Sequence, residues 1–189
     1  ISYGFRFPPD PILLPCGRGF YSLKGSTHRC EYIVLPTHKE QRLLGYSAEK
    51  IFDLVIDVDR YPEFLPWCLS ANILKNDIDT FDADLVIGFK MIREKFGSRV
   101  KSQRPRWIEV TPISGPFKRM TNIWKFTAET RDTCMIDFYV EFEFRSRLMN
   151  RLVGVLFHEA VRRMVGAFEK RAWELYGMSS GGCHSGQIP

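Results

Sequence analysis

No apolar stretch in this 189-residue sequence approaches the roughly 18 residues of a membrane-crossing helix, which excludes an integral helical membrane protein. Cysteine is sparse and unpaired in pattern. Cys16, Cys30, Cys68, Cys134 and Cys183 are odd in number and form no C-x-x-C pair. That speaks against a disulfide scaffold and for a reducing compartment. His28 near Cys30 and His184 beside Cys183 lack the ligand spacing of a structural zinc site, so no metal is expected. No repeat with a period of about 20–50 residues is visible, which excludes solenoids. There is no phosphate-cradling glycine loop and no nucleotide fingerprint. No nucleophile–base–acid set stands at a workable spacing, and no catalytic residue is assigned. His158 and Glu159 are adjacent on a helical pattern and point about 100° apart.

What is present is an ordinary globular balance, 44% hydrophobic and 26% charged, with 15 Phe, 7 Tyr and 4 Trp to bury. The length suits one domain with tails. The net charge is +5, and its distribution says more than its sum. From Glu49 to Asp84 acids dominate; from Lys90 to Arg106 bases dominate (Lys90, Arg93, Lys95, Arg99, Lys101, Arg104, Arg106 against Glu94). A basic face of this kind suits anionic lipid or nucleic acid. The plainer alternative is the solvated face of two strands.

Residues 1–30 carry Arg6, Arg18, Lys24 and Arg29 against Asp10 alone, and Arg18-Gly19-Phe20-Tyr21-Ser22 resembles a matrix-protease cleavage site. They read as a transit peptide or a disordered leader, although four prolines spoil an amphipathic helix there. The Gly/Ser-rich stretch 178–189 reads as a flexible tail. The working domain is 31–177.

Within it, Ser47 suits a helix N-cap with Glu49 in the first turn, and Ile51, Phe52, Val55 and Val58 recur at helical spacing. Pro62 and Pro66 then hold Tyr61–Cys68 as a turn-rich segment. After it the period becomes two. Phe81, Ala83, Leu85, Ile87 and Phe89 alternate with polar residues, as do Phe96, Ser98 and Val100, and Trp124, Phe126 and Ala128. The clearest run sets Cys134, Ile136, Phe138, Val140, Phe142 and Phe144 against Met135, Asp137, Tyr139, Glu141 and Glu143. These are antiparallel strands with one dry and one wet face. Gly115-Pro116 marks a hairpin. From Arg147 to Tyr176 a helix of ~45 Å is expected. Two apolar stripes run along it, and Gly154 and Gly166 interrupt it at a cost of ~1 kcal/mol each. Either the helix lies close against a concave apolar surface, or the glycines are simply tolerated. The predicted architecture is α+β. A strand near 38–46, two short helices and six more strands form a curved antiparallel sheet closed by the long C-terminal helix.

Several blocks in this order carry a family likeness: Arg42–Lys50, Tyr61–Cys68, Gly115–Lys118, Asn122–Phe126, Phe142–Ser146 and Ala167–Ala172. Across about 42–177 the chain resembles the START-like, polyketide-cyclase-type helix-grip superfamily, and within it the coenzyme Q-binding protein Coq10 family. It departs from many eukaryotic members in having Lys90-Met91, not prolines, after Gly88-Phe89. The resemblance implies a helix-grip fold of about seven strands and a non-enzymatic lipid binder with no cofactor. Ubiquinone would be its bound ligand. The family is held to act as chaperone or carrier for ubiquinone's respiratory use and biosynthesis, on the matrix side of the mitochondrial inner membrane. Partners would be ubiquinone, the anionic lipid surface, and respiratory or ubiquinone-biosynthesis complexes; nucleic acid is not expected. Bacterial relatives have been described as toxins that hinder ribosome subunit association.

A quinone site asks for an apolar tunnel with aromatic walls. Phe81, Leu85, Phe89, Phe96, Trp124, Phe126, Phe138 and Phe142 on the strands, with Met164 and Phe168 on the helix, are the expected walls. Each could equally be ordinary core. Phe64, Leu65 and Trp67 would form a gate or membrane-touching tip, with Lys90, Arg93 and Lys95 nearby for an anionic leaflet; the alternative is a plug closing one end of the core. Two other functions remain open. One is a cyclase/aromatase-type enzyme using the same cavity, with Arg99 or Glu94 as the residues to test. The other is a ribosome-associated RNA-binding module using 90–106, against which the inward aromatics weigh.

Overall fold

The computed structural model describes residues 36–89 and 92–178. The expected leader at 1–30, the tail from 179 onward and Lys90 lie outside them. Seven strands follow the chain as β1 Thr37–Leu44, β2 Cys68–Asn76, β3 Thr80–Phe89, β4 Ile92–Gln103, β5 Trp107–Ser114, β6 Phe117–Ala128 and β7 Cys134–Phe144. Between β1 and β2 lie α1 Ala48–Ile56, a 3₁₀ turn at Val58–Arg60 and α2 Tyr61–Phe64; α3 Arg147–Tyr176 ends the domain. The seven strands form one sheet, ordered β1-β7-β6-β5-β4-β3-β2, and every paired neighbour is antiparallel. The expected helix-grip architecture is present.

The sheet bends because its ladder is interrupted. Register shifts fall between Cys68 and Ser70, Ile73 and Lys75, Gly97 and Ser98, and Phe117 and Arg119. Such bulges curve a strand and raise its local twist. Gly97 is fitted to one of them: a Cβ there would come within 2.6 Å of Ser114 Oγ. Gly115, at φ 110°, turns β5 into β6 in a conformation that L side chains avoid.

The dry face of β7 follows the alternation, with Cys134, Ile136, Phe138, Phe142 and Phe144 all buried. Its other face is drier than the pattern predicts. Tyr139 is buried beside its register partner Ile123, and Glu143 is covered by Lys118 at 2.8 Å and Arg119 at 3.2 Å. Ser47 caps α1 by accepting from the Lys50 amide, and Ser146 caps α3 by accepting from that of Met149. Two expectations are corrected, and one pair of alternatives is decided. Tyr46 leaves β1 and donates its hydroxyl to the Gly177 carbonyl at 2.9 Å. Tyr61–Phe64 is a short helix, since Pro62 falls in its first turn, where the missing N–H costs nothing. Gly166 meets nothing within 4 Å of an added Cβ, so no close approach requires it.

The charge segregation of the sequence does not survive folding as two faces. Antiparallel pairing of β3 with β4 brings acids onto bases. Arg99 grips Asp82 with two bonds of 2.8 and 2.9 Å, and Lys95 meets Asp84 at 2.8 Å. Arg104 likewise grips Asp53 on α1 with two bonds of 2.8 Å. The acidic and basic stretches are partners across strands.

Candidate functional site

Between the concave sheet and α3 lies a cavity of about 290 Å³. Volumes near this value begin the range that holds small-molecule ligands. Its walls come from every strand except β1 and β2. Leu85 and Ile87 stand on β3; Phe96, Ser98 and Val100 on β4; Ile108 and Val110 on β5. Phe117, Met120, Asn122 and Trp124 follow on β6, and Phe138, Val140, Phe142 and Phe144 on β7. The roof is one side of α3: Val153, Phe157, Ala160, Val161, Met164 and Phe168. Val55, Val58, Tyr61, Leu65 and Trp67 close it from the α1–α2 segment.

Of the residues read from sequence as binding, Leu65, Trp67, Leu85, Phe96, Trp124, Phe138, Phe142, Met164 and Phe168 are brought together here. Phe81 is core but does not line the cavity. Phe126 packs edge-on against Phe52 of α1, 5.6 Å between centroids, and does not line the cavity. Phe64 stands behind the wall, edge-on to Phe168 at 5.2 Å, with the Arg171 guanidinium over its ring at 5.6 Å. Phe89 closes β3.

Of the two readings of the Phe64–Trp67 segment, tip or plug, its packing here fits the second. Leu65 is only 5% exposed and Phe64 faces α3, so in this conformation the segment is a plug. Trp67 alone keeps both a wall position and some solvent surface. Arg93 is exposed, whereas Lys95 is committed to Asp84.

The cavity's polar groups are few. The Tyr61 hydroxyl donates to the Val55 carbonyl at 2.6 Å, and burial raises its pKa far above the ordinary value of 10. The Ser98 hydroxyl donates to the Ala83 carbonyl at 3.4 Å. Glu94 brings a carboxylate near the β3–β4 hairpin, opposite Ile87. Arg99, the other residue considered for catalysis, points away and is held by Asp82. The amide oxygen of Asn122 is buried without a hydrogen-bond partner. Asn122 and Glu94 were not singled out from sequence, the first at all and the second as a wall. Strand parity holds the signal: Asn122 shares its side of β6 with Trp124, and Glu94 its side of β4 with Phe96. Among the described residues no cluster of three His, Cys, Asp or Glu side chains could hold a metal, and no helix is long and apolar enough to cross a membrane.

Residues 44–169 match the family described as polyketide cyclase / dehydrase and lipid transport. The chain is 35% identical over 144 residues to the ribosome association toxin RatA of Escherichia coli K12, covering 76% of this chain and 91% of that one. It is 34% identical over 168 residues to the mitochondrial coenzyme Q-binding protein COQ10 homolog B of Xenopus laevis, covering 85% of this chain and 66% of that one. Among solved structures, the ZhuI aromatase/cyclase of Streptomyces sp. R1128 superposes with a TM-score of 0.68 at 13% identity, over 78% of this chain and 99% of that one, a likeness of fold. The chain belongs to the polyketide cyclase / dehydrase and lipid transport family, and its similarity reaches both the coenzyme Q-binding proteins and the ribosome association toxins.

Proposed function

We propose that this member of the family binds a ubiquinone-class lipid in the cavity between sheet and α3, and acts without catalysis as its chaperone or carrier. The observation that carries the reading is the cavity itself, walled by aromatic and aliphatic side chains and nearly free of polar groups. Kinship to a coenzyme Q-binding protein supports the choice of guest. At about 290 Å³ the space suits a substituted ring and the first part of its chain. A long isoprenoid tail would extend beyond the cavity and lie in the bilayer. The working place would be the matrix face of the mitochondrial inner membrane, with Arg93 toward the anionic surface.

Catalysis has little to work with, because among the described residues Glu94 is the one carboxylate in the wall and the hydroxyls of Tyr61 and Ser98 are engaged by backbone carbonyls. The test is mass spectrometry of lipids extracted from purified protein, followed by calorimetric titration with decylubiquinone. Co-purified quinone and saturable binding are expected. A folded protein that neither carries nor binds any quinone overturns the reading. The near full-length match to RatA favours a second reading, association with a ribosomal subunit. Cosedimentation with separated subunits at physiological salt checks it; the lipid reading expects the protein to stay in the supernatant.

A further inference from the structure

Antiparallel order gives the sheet two unlike ends. One end gathers the starts of β1, β2, β4 and β6 and the finishes of β3, β5 and β7. The β3–β4 hairpin, the β5–β6 turn and the first residues of α3 lie there. Arg145 ties the start of α3 to that turn, its amide donating to the Pro116 carbonyl at 2.9 Å and its Nε to that of Phe117 at 3.2 Å. The cavity reaches the same end, since Ile87, Phe117, Phe144 and Val153 are among its walls.

The charges of this end do not cancel. Lys95 is taken by Asp84, and Lys118 and Arg119 by Glu143. Glu141 accepts from the Tyr139 hydroxyl at 2.7 Å, and Glu94 stands in the cavity wall. Arg93, Arg145, Arg147 and Arg151 are exposed and form no ion pair among the described residues. Arg147 opens α3, whose first turn holds no acid, and a cation there works against the helix dipole. Beside it Leu148 is 66% exposed. The opposite end differs. Its turns hold Asp77, Asp79, Glu129 and Asp132 against Arg104, Arg106 and Arg131, and Arg104 is held by Asp53.

We infer that the hairpin end docks on an anionic phospholipid bilayer, with Arg93, Arg145, Arg147 and Arg151 toward the lipid phosphates and the Leu148 side chain among the acyl chains. The inference rests on the lipid-carrier reading above and deepens it by naming the surface that meets the lipid supply. Arginines gathered at one end gain from an anionic leaflet, and salt screens that gain. The apolar residues favour a bilayer over nucleic acid. Leu148 is aliphatic, as are Leu69 and Ile113, which are exposed near the tips of their strands at this end. Single-stranded nucleic acid asks instead for exposed aromatic faces.

The experiment is sedimentation of the full chain with sucrose-loaded, quinone-free vesicles, of phosphatidylcholine alone or of an equimolar mixture with phosphatidylglycerol. The wild type should partition onto the mixed vesicles, less so as salt rises, and stay off the neutral ones. Arg147→Gln/Arg151→Gln should lower the partition coefficient about thirtyfold, at roughly fivefold per arginine. Leu148→Ser should lower it roughly tenfold. Arg106→Gln/Arg131→Gln, the same change of charge at the opposite end, should leave it unaltered. The urea midpoint of Arg147→Gln/Arg151→Gln should not fall, which separates docking from a structural role. No binding to the mixed vesicles, equal losses from the two arginine pairs, or binding undiminished by the changes at 147, 148 and 151 overturns the inference. So does cosedimentation with ribosomal subunits in place of vesicles, if Arg147→Gln/Arg151→Gln abolishes it. Calorimetry with decylubiquinone should be alike in all these variants. Vesicle binding without quinone binding overturns the carrier reading and leaves the docking surface; quinone binding without vesicle binding does the reverse.

Discussion

Glu143 shows how one residue departs from its pattern. It sits on the wet side of β7, yet it is only 4% exposed because Lys118 and Arg119 close over it. Hydrogen bonding from Lys118 first, and then from Arg119, holds its carboxyl below the ordinary 4.5; Arg99 does the same for Asp82 below 3.8. The unfolded chain therefore takes up these protons more readily than the folded one. The stability they contribute is complete above the ordinary values and drains away as pH falls through the lowered ones. Urea midpoints should drop steeply below about pH 4.5, and Glu143→Gln should be less stable at pH 7 with a shallower acid slope. The two buried thiols make another test at this scale. Burial pushes Cys68 and Cys134 up to about 11, so few molecules carry a thiolate at pH 8. Peptide-resolved alkylation at that pH should be slow at both sites in native protein and rapid in urea.

Among the elements, α3 was the most legible in the sequence and also misled. Its limits, Arg147–Tyr176, follow directly from the period. Its glycines suggested a close neighbour, but Gly166 faces open space. Gly166→Ala should thus stabilise the protein by about 1 kcal/mol in urea denaturation, since alanine restricts the unfolded chain and suits the helix. Phe168 is the opposite case. Its ring meets Tyr61, Phe64 and Trp124 at 5.2–5.5 Å, joining helix, plug and sheet. Phe168→Ala should cost about 3–5 kcal/mol by the same measurement. Alternation made β7 plain, while β2 escaped notice because two irregularities break its period. Asn122 and Glu94 escaped for a different reason. A search for dry faces passes over polar side chains, even where strand parity points them inward. The contribution of Val55, Val58 and Tyr61 to the cavity was hidden too, because a helix's apolar stripe does not tell which part of the core it will meet.

For the whole molecule, the sheet's curvature and the long helix were foreseeable as a pair, but the charge pattern was not. Sequence order set acids and bases apart; strand pairing brought Asp82 to Arg99 and Asp84 to Lys95. Nothing local announces which segments will become neighbours. The cavity makes stability depend on its guest. If the proposed lipid binds, decylubiquinone at about a hundred times its dissociation constant should add about 2.7 kcal/mol. The unfolding temperature read by circular dichroism should rise accordingly, and a short apolar alcohol at the same concentration should not reproduce the rise.

The place of β1 in the sheet has a consequence for biosynthesis. Among the described residues this strand precedes the other six, yet its one ladder partner there is β7, the last of them. As the polypeptide emerges, Thr37–Leu44 must wait while five strands and the α1–α2 segment are made. Contacts that close so long a loop form slowly. A nascent chain halted after β6 would add to the β2 edge of the finished sheet an unpaired β6 backbone and the orphaned first strand, each open to pairing with a neighbouring chain.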